Sequence, residues 1–168
     1  MRWKNHYEQA VGAYLEREQI PFTSLSQAQK ACVAGVTLKS FDYLVYPHGG
    51  GRLIVDVKGR KLSVKSWQRQ RLGQCWATRE DLDGLAGWEA SFGQDYVGLL
   101  VFAYWLYDLK PEELCDVDFT FEGQGYVFAC VERCAYQARM RPRSERWQTV
   151  YVPAEPFRVL ARPLTCFL

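Results

Sequence analysis

Asp42 and Asp56 each stand at an otherwise apolar position in FDYLVYPHGGGRLIVDVKGRK, residues 41 to 61, and Lys58 follows the second acid by two. Alternate residues of a strand share a face, so Asp56 and Lys58 are neighbours on one side, and Leu53, Val55 and Val57 point the other way. A buried carboxylate without a partner is costly, and two that face each other are worse. Loop length decides which situation applies, because it sets the register. If all five residues of PHGGG form the loop, Tyr46 pairs with Arg52, and Asp42 falls opposite Asp56. Two facing carboxylates require a cation, and Mg²⁺ (or Mn²⁺) suits them, since it takes hard oxygen ligands and keeps room for water and phosphate oxygens. If only GGG turns, Asp42 falls opposite Lys58, and the acids form a cross-strand ion pair that contributes less than about 1 kcal/mol. The sequence leaves both registers open.

The elements around this stretch must position these groups. Upstream, HYEQAVGAYLEREQI places Tyr7, Val11, Tyr14, Leu15 and Glu18 on one side, which predicts an amphipathic helix ending before Pro21. Glu8 lies at the edge of its apolar face and is available as a third acid, whereas Glu16 is turned to solvent. PFTSL reads as a short strand, and SQAQKACVAG as a short helix with Ser26 as N-cap and Gly35 as stop. The hairpin strands span about residues 38 to 46 and 52 to 58. After a basic connection, Thr78 and Asp81 offer a capping box for a long helix, with Leu82, Leu85, Trp88 and Phe92 along one face and Gly93 closing it. YVGLLVFAYWLY is apolar on both alternating faces, the mark of a strand buried inside a sheet covered on each side. GYVFACVERCAY and RWQTVYVP read as two or three further strands. The expectation is a single α/β domain over residues 1–168, with a mixed central sheet flanked by helices.

Composition sets outer bounds. The 168 residues are 48% hydrophobic and 24% charged, ordinary for one core, and no apolar run is long enough to span a membrane. A polar start without a signal-peptide pattern points to a soluble, cytoplasmic protein. The six cysteines lack a framework or zinc spacing and are expected to be reduced and buried. The net charge of +2 conceals an uneven layout: residues 52 to 71 carry Arg52, Lys58, Arg60, Lys61, Lys65, Arg69 and Arg71 against Asp56 alone. Such a run suits a polyanion such as nucleic acid, and solvated loops of mixed charge are the plain alternative.

FDYLVY followed by DVK resembles the PD-(D/E)xK nuclease superfamily, which includes restriction-endonuclease-like and Holliday-junction-resolvase-like proteins. The order here, helix, strand hairpin, then helix and strand, is similar to that superfamily's core over residues 5 to 105. The resemblance implies a restriction-endonuclease-like fold with extra C-terminal strands, and a Mg²⁺-dependent endonuclease that hydrolyses phosphodiester bonds, with DNA the favoured substrate. It implies Asp42, Asp56 and the Val57 carbonyl as metal ligands, and Lys58 as the group that contacts the scissile phosphate or attacking water. Many members add an acid from the first helix, and Glu8 is the matching position. Arg52, Arg60, Lys61, Lys65, Arg69 and Arg71 are then candidates for gripping the nucleic-acid backbone. Phe41 stands where the motif has proline, and Asp56 stands where Glu is commoner. YDLK at 107 to 110 imitates the motif without a hairpin before it, and Asp108 reads as a solvated loop acid.

Trp67 and Trp147 lie among basic residues and could stack on bases, although core packing is the reading favoured for each. His6 and His48 read as exposed. No nucleophile turn or phosphate-binding Gly loop is present. The rivals to a nuclease are a non-catalytic binding module of the same fold and an interaction protein whose acids merely pair with lysine. Pairing of two chains to cut two strands is left open.

Overall fold

The computed structural model describes residues 5–25, 31–33 and 35–168. The chain runs through α1 (His6–Arg17), β1 (Phe22–Ser24), β2 (Ala31–Val33), β3 (Val36–Leu38), β4 (Tyr43–Val45), β5 (Arg52–Leu62), α2 (Val64–Gln68), β6 (Trp76–Thr78), α3 (Arg79–Phe92) and β7 (Tyr96–Leu106). A 3₁₀ turn at Pro111–Asp116 follows, then β8 (Phe119–Phe121), β9 (Gln124–Glu132), α4 (Arg133–Arg139), β10 (Arg141–Ser144), β11 (Thr149–Tyr151), α5 (Ala154–Leu160), β12 (Arg162–Pro163) and a last 3₁₀ turn. Among the described residues the main sheet has the order β1-β4-β5-β7-β9-β12, with β8 also on β9, and a smaller sheet has the order β10-β11-β6.

The centre of the main sheet is β5 and β7, paired in parallel, while β4–β5 and β7–β9 are antiparallel. Parallel neighbours need a crossover, and α2, β6 and α3 supply it. β7 is apolar on both faces, as is β5 at Leu53–Val55, because each face is covered there. On one face Ile54, Leu62, Leu100, Phe102 and Tyr104 pack with Leu82, Leu85 and Trp88 of α3 and with Tyr136 and Phe157 of α4 and α5. On the other, Leu53, Val55 and Val57 pack with Val101, Ala103 and the α1 residues Ala10, Val11, Tyr14 and Leu15. The alternation expected for residues 53 to 58 is therefore present, and Asp56 and Lys58 lie on the α3 side.

Tyr43 pairs with Val55, Leu44 with Ile54 and Val45 with Leu53. This is the register of the five-residue loop. Gly50 and Gly51 make the turn possible, with φ of +91° and +74°, conformations that side-chain-bearing residues rarely adopt. Thr78 and Asp81 form the expected capping box at the start of α3, and Gly93 caps its end.

Several expectations are corrected. Residues 31–33 and 36–38 form an antiparallel hairpin, β2–β3, where a helix was expected; residues 26–30 and 34 lie outside the described residues. Ala31–Val33 and Val36–Leu38 are rich in β-branched side chains, which fit a pleated ribbon better than a helix turn. The first hairpin strand is also shorter than residues 38 to 46: only Tyr43–Val45 joins the ladder, and β5 runs on to Leu62. The connection after β5 contains α2 and β6, and the C-terminal third contains α4 and α5 beside its strands. Among the cysteines, Cys75 and Cys130 are buried and free, but Cys134 and Cys166 are exposed. No helix of the described residues is long and apolar enough to cross a membrane.

Candidate functional site

The early end of β4 creates the site. Beyond Tyr43 the ladder stops, so β5 has no main-sheet neighbour on that side from Asp56 onward. The Asp42 amide donates to the Val55 carbonyl at 2.9 Å, and the Val57 amide donates to Asp42 Oδ2 at 2.7 Å, a side chain standing in for the missing strand. A strand residue's N–H and C=O face the same neighbour, so the Val57 carbonyl points to this opened edge as well.

A cleft of about 400 Å³ opens there, lined by Glu8, Asp42, Asp56, Val57 and Lys58 together with Thr37, Leu38, Lys39, Ser40 and Glu80. Every residue assigned to catalysis or metal from the sequence therefore lines one cleft. Glu8 reaches it from α1 on one face of the sheet, and Glu80 from the start of α3 on the other. Glu8, Asp42 and Asp56 are each 7% exposed. Burial of three carboxylates at the edge of a sheet is expensive and calls for compensating charge.

Local chemistry fixes each group. Asn5 caps α1, accepting from the Tyr7 and Glu8 amides, and its side-chain amide donates to Glu8 Oε1 at 2.8 Å. Tyr43 Oη donates to the Glu8 carbonyl at 2.7 Å, tying α1 to β4. Gly59 lies directly under the Tyr7 ring, in space a Cβ would occupy. Gly59→Ala is therefore expected to cost about 1–3 kcal/mol by lifting α1 from β5. Urea unfolding measures this, and an unchanged midpoint would mean that α1 does not seat on that glycine.

Lys58 Nζ lies 2.9 Å from Asp56 and 2.9 Å from Asp81, and Lys39 also pairs with Asp81. Burial raises the Asp56 carboxyl from its ordinary value to about 7; Lys58 opposes the shift, and the charges of Asp81 and Asp42 reinforce it. Burial also acts to raise Asp81, but Lys58 and Lys39 outweigh it and hold that carboxyl at about 2. Burial would lower the Lys58 ammonium pKa, yet Asp56 and Asp81 keep it above its usual range. Lys58 is thus charged, and Asp56 is the acid in this group that changes charge near neutrality.

The donor set fits a hard divalent cation. Carboxylates and a backbone carbonyl are the ligands Mg²⁺ and Mn²⁺ prefer, and among the described residues neither His nor Cys lines the cleft. Among the described residues no three His, Cys, Asp or Glu groups stand close enough to form a ready cation cage. Each of the three acids instead leans on a protein donor: Asp56 on Lys58, Asp42 on the Val57 amide, Glu8 on Asn5.

Comparison with solved structures now bears on the fold. The chain is similar to Hjc, a Holliday junction resolvase from the archaeon Archaeoglobus fulgidus, with a TM-score of 0.54 and 12% identity over 96% of each chain. The fold is restriction-endonuclease-like. No family model matches the chain, and no curated protein does. Within this restriction-endonuclease-like fold the likeness extends over the C-terminal third, which the sequence resemblance does not reach.

Asp81, Lys39 and Glu80 were not singled out for the site by sequence. Asp81 was legible as a helix cap, but that its second oxygen meets Lys58 is a matter of how α3 packs on β5. The basic residues also divide. Arg52 sits at the start of the eleven-residue β5, about 30 Å from Lys61 near its end, where its guanidinium approaches the Tyr46 and Tyr96 rings. Arg60 donates to the carbonyls of Gln74, Gly59 and Trp76, and lies 4.0 Å from the Trp76 ring centroid. Lys61 lies 5.3 Å from the Trp105 ring centroid, on the α1 side. Lys65, Arg69 and Arg71 are exposed on α2 and the loop after it. Trp67 packs against the core, in accord with the structural reading. Asp108 is a loop acid that accepts from the Val64 amide at 2.7 Å and so caps α2.

Proposed function

We propose that this chain is a divalent-metal-dependent nuclease that hydrolyses phosphodiester bonds of nucleic acid, with DNA the favoured substrate. The observation that carries the reading is the single cleft, on a restriction-endonuclease-like fold, in which Asp42, Asp56, Val57 and Lys58 converge at the opened edge of β5. Asp42, Asp56 and the Val57 carbonyl would hold the cation, with Glu8 beside them. Bound there, Mg²⁺ or Mn²⁺ supplies a Lewis acid for a phosphoryl oxygen and lowers the pKa of a water. The chain supplies the rest. Asp56 and Asp81 hold the Lys58 ammonium in place, where it stabilises charge that builds on the phosphate oxygens. Asp56, titrating near neutrality, is able to hold or release a proton at the cleft.

Lys65, Arg69 and Arg71 would grip the backbone. Binding to duplex is then expected to fall with salt at a log-log slope of about −0.9 per contact, and replacing the three by Ala should flatten the slope by about two to three. Anisotropy titrations at two salt concentrations read this directly; an unaltered slope would remove α2 from the interface.

A second reading is a non-catalytic nucleic-acid-binding module of the same fold, favoured by the protein donors that already engage each carboxylate. Incubation of labelled branched, duplex and single-stranded substrates with Mn²⁺ and with EDTA separates the two. Products that require Mn²⁺ support the nuclease; binding without products supports the module.

A further inference from the structure

We propose that the β10–β11 hairpin is a second nucleic-acid contact, in which Trp147 stacks on an unpaired base while Arg141, Arg143 and Arg146 hold the adjoining phosphates. This rests on the nuclease reading and specifies its substrate: nucleic acid with unpaired nucleotides close to the cleft.

The sequence of the hairpin, RMRPRSERWQT over residues 139 to 149, carries Arg139, Arg141, Arg143 and Arg146 against Glu145 alone. All four arginines are exposed, and none forms an ion pair among the described residues. Trp147 is 67% exposed, an unusual state for the side chain that gains most from burial. The turn that projects it is braced. The Trp147 amide donates to Ser144 Oγ at 3.3 Å, and the Gln148 amide and side chain both donate to the Glu145 carbonyl, at 3.3 and 2.7 Å. Gln148 itself takes a left-handed φ of +48°, and a bulge between Pro142 and Ser144 leaves Arg143 as the extra residue. The Arg146 guanidinium lies 5.1 Å from the indole centroid, so a cation already accompanies the stacking surface.

Two connections join this hairpin to the cleft. β11 pairs with β6, Thr149 opposite Thr78, and the Arg79 amide donates to the Gln148 carbonyl at 2.9 Å. The next two residues are Glu80, which lines the cleft, and Asp81, which holds Lys58. On the other side, Arg60 shares the face of β5 that bears Asp56 and Lys58, and both Arg60 and Arg143 approach the Trp76 ring, at 4.0 and 5.1 Å. Trp147 thus precedes the residue that is bonded to Arg79, on the segment next to the cleft's Glu80.

The surroundings select the ligand. The turn around Trp147 offers Ser144, Glu145, Arg146 and Gln148, and among the described residues the other large exposed apolar side chains, Phe92, Tyr107 and Val159, sit on other elements. A membrane anchor would cluster apolar groups, whereas an indole flanked by four arginines and a single acid, Glu145, is complementary to a base flanked by phosphates. Inside a duplex both faces of each base are covered, so the indole is served only by a flap, fork or single strand.

The test is equilibrium binding in EDTA by fluorescence anisotropy. The probes are a labelled oligothymidylate and a labelled forked duplex with single-stranded arms, with a covalently closed circular duplex as competitor. Trp147→Ala is expected to weaken both labelled probes by about five- to a hundredfold, to leave competition by the circular duplex unchanged, and to be largely rescued in Trp147→Phe. Circular dichroism confirms the fold, which an exposed side chain does not support. Equal weakening on all substrates, or none on any, overturns the hairpin contact alone. A wild-type protein that binds none of these probes overturns the contact and the nuclease reading together.

Discussion

If the proposed function holds, Asp56→Asn is expected to lower metal-dependent cleavage by at least about a thousandfold and at the same time to make the metal-free protein less sensitive to rising pH between about 4 and 7. The first effect follows from the loss of a ligand charge: even residues that merely orient ligands cost 10- to 100-fold in typical sites, and a ligand itself costs more. The second follows from linkage. Burial raises the Asp56 carboxyl to about 7, above the 3.8 of an unfolded chain, so the native state holds a proton that the unfolded state has released. Stability therefore falls as pH rises from about 4 to about 7, by at most about 4 kcal/mol, at about 1.4 kcal/mol per unit. Asparagine cannot titrate, and that part of the pH slope disappears. Urea midpoints of both proteins from pH 4 to 8 measure it. A variant that cleaves at the wild-type rate, or that keeps the full slope, would show that Asp56 is neither ligand nor the titrating group.

Lys58→Met is expected to abolish cleavage as well, but with the opposite consequence for stability. The ammonium is 12% exposed between Asp56 and Asp81, and removing one partner of a buried pair typically costs about 3–5 kcal/mol. Asp56 is able to escape the penalty by protonating. The destabilisation should therefore grow from pH 5, where Asp56 is protonated in both proteins, towards pH 8, where the wild-type carboxylate gains from Lys58 and the variant must keep a proton or bury an unpaired charge. Asp81 keeps Lys39 as partner and adds little to that trend. A destabilisation independent of pH would mean that Lys58 acts through packing alone. Taken together, the two variants separate charge from shape, since both are expected to lose activity while, relative to wild type, Asp56→Asn gains stability and Lys58→Met loses it as pH rises.

Much of this arrangement was legible in the sequence. PHGGG allowed a five-residue or a three-residue turn, so the sequence left open whether Asp42 faces Asp56 or Lys58, and the β4–β5 pairing decides for the first; the alternation of Leu53 to Lys58 did place the lysine beside the acid. The capping box of α3 and the apolar run of β7 were equally plain, because caps and periodicity are local signals. Tertiary facts were less accessible. Nothing local says that Asp81 and Lys39 meet Lys58, or that Arg60 spends its donors on the carbonyls of Gln74, Gly59 and Trp76. The run of basic residues from 52 to 71 looks continuous as a string, yet one long strand carries its two ends about 30 Å apart. Helices α4 and α5 have seven residues each, too short for helical periodicity to stand out beside neighbouring strands.

The proposed function requires the opened edge of β5 to hold a divalent cation. Because that requirement does not depend on knowing the substrate, titration of the nucleic-acid-free protein with Mn²⁺ in a calorimeter at pH 6.5, in two buffers of different ionisation heat, tests it most directly. Saturable binding of Mn²⁺ to the wild type is expected, with a buffer-dependent heat as Asp56 gives up its proton. Binding is expected to be lost in Asp42→Asn, whose side-chain oxygen can still accept from Val57, and in Asp56→Asn. A wild type that binds no Mn²⁺, or Asn variants that bind it as tightly as wild type, would contradict the assignment.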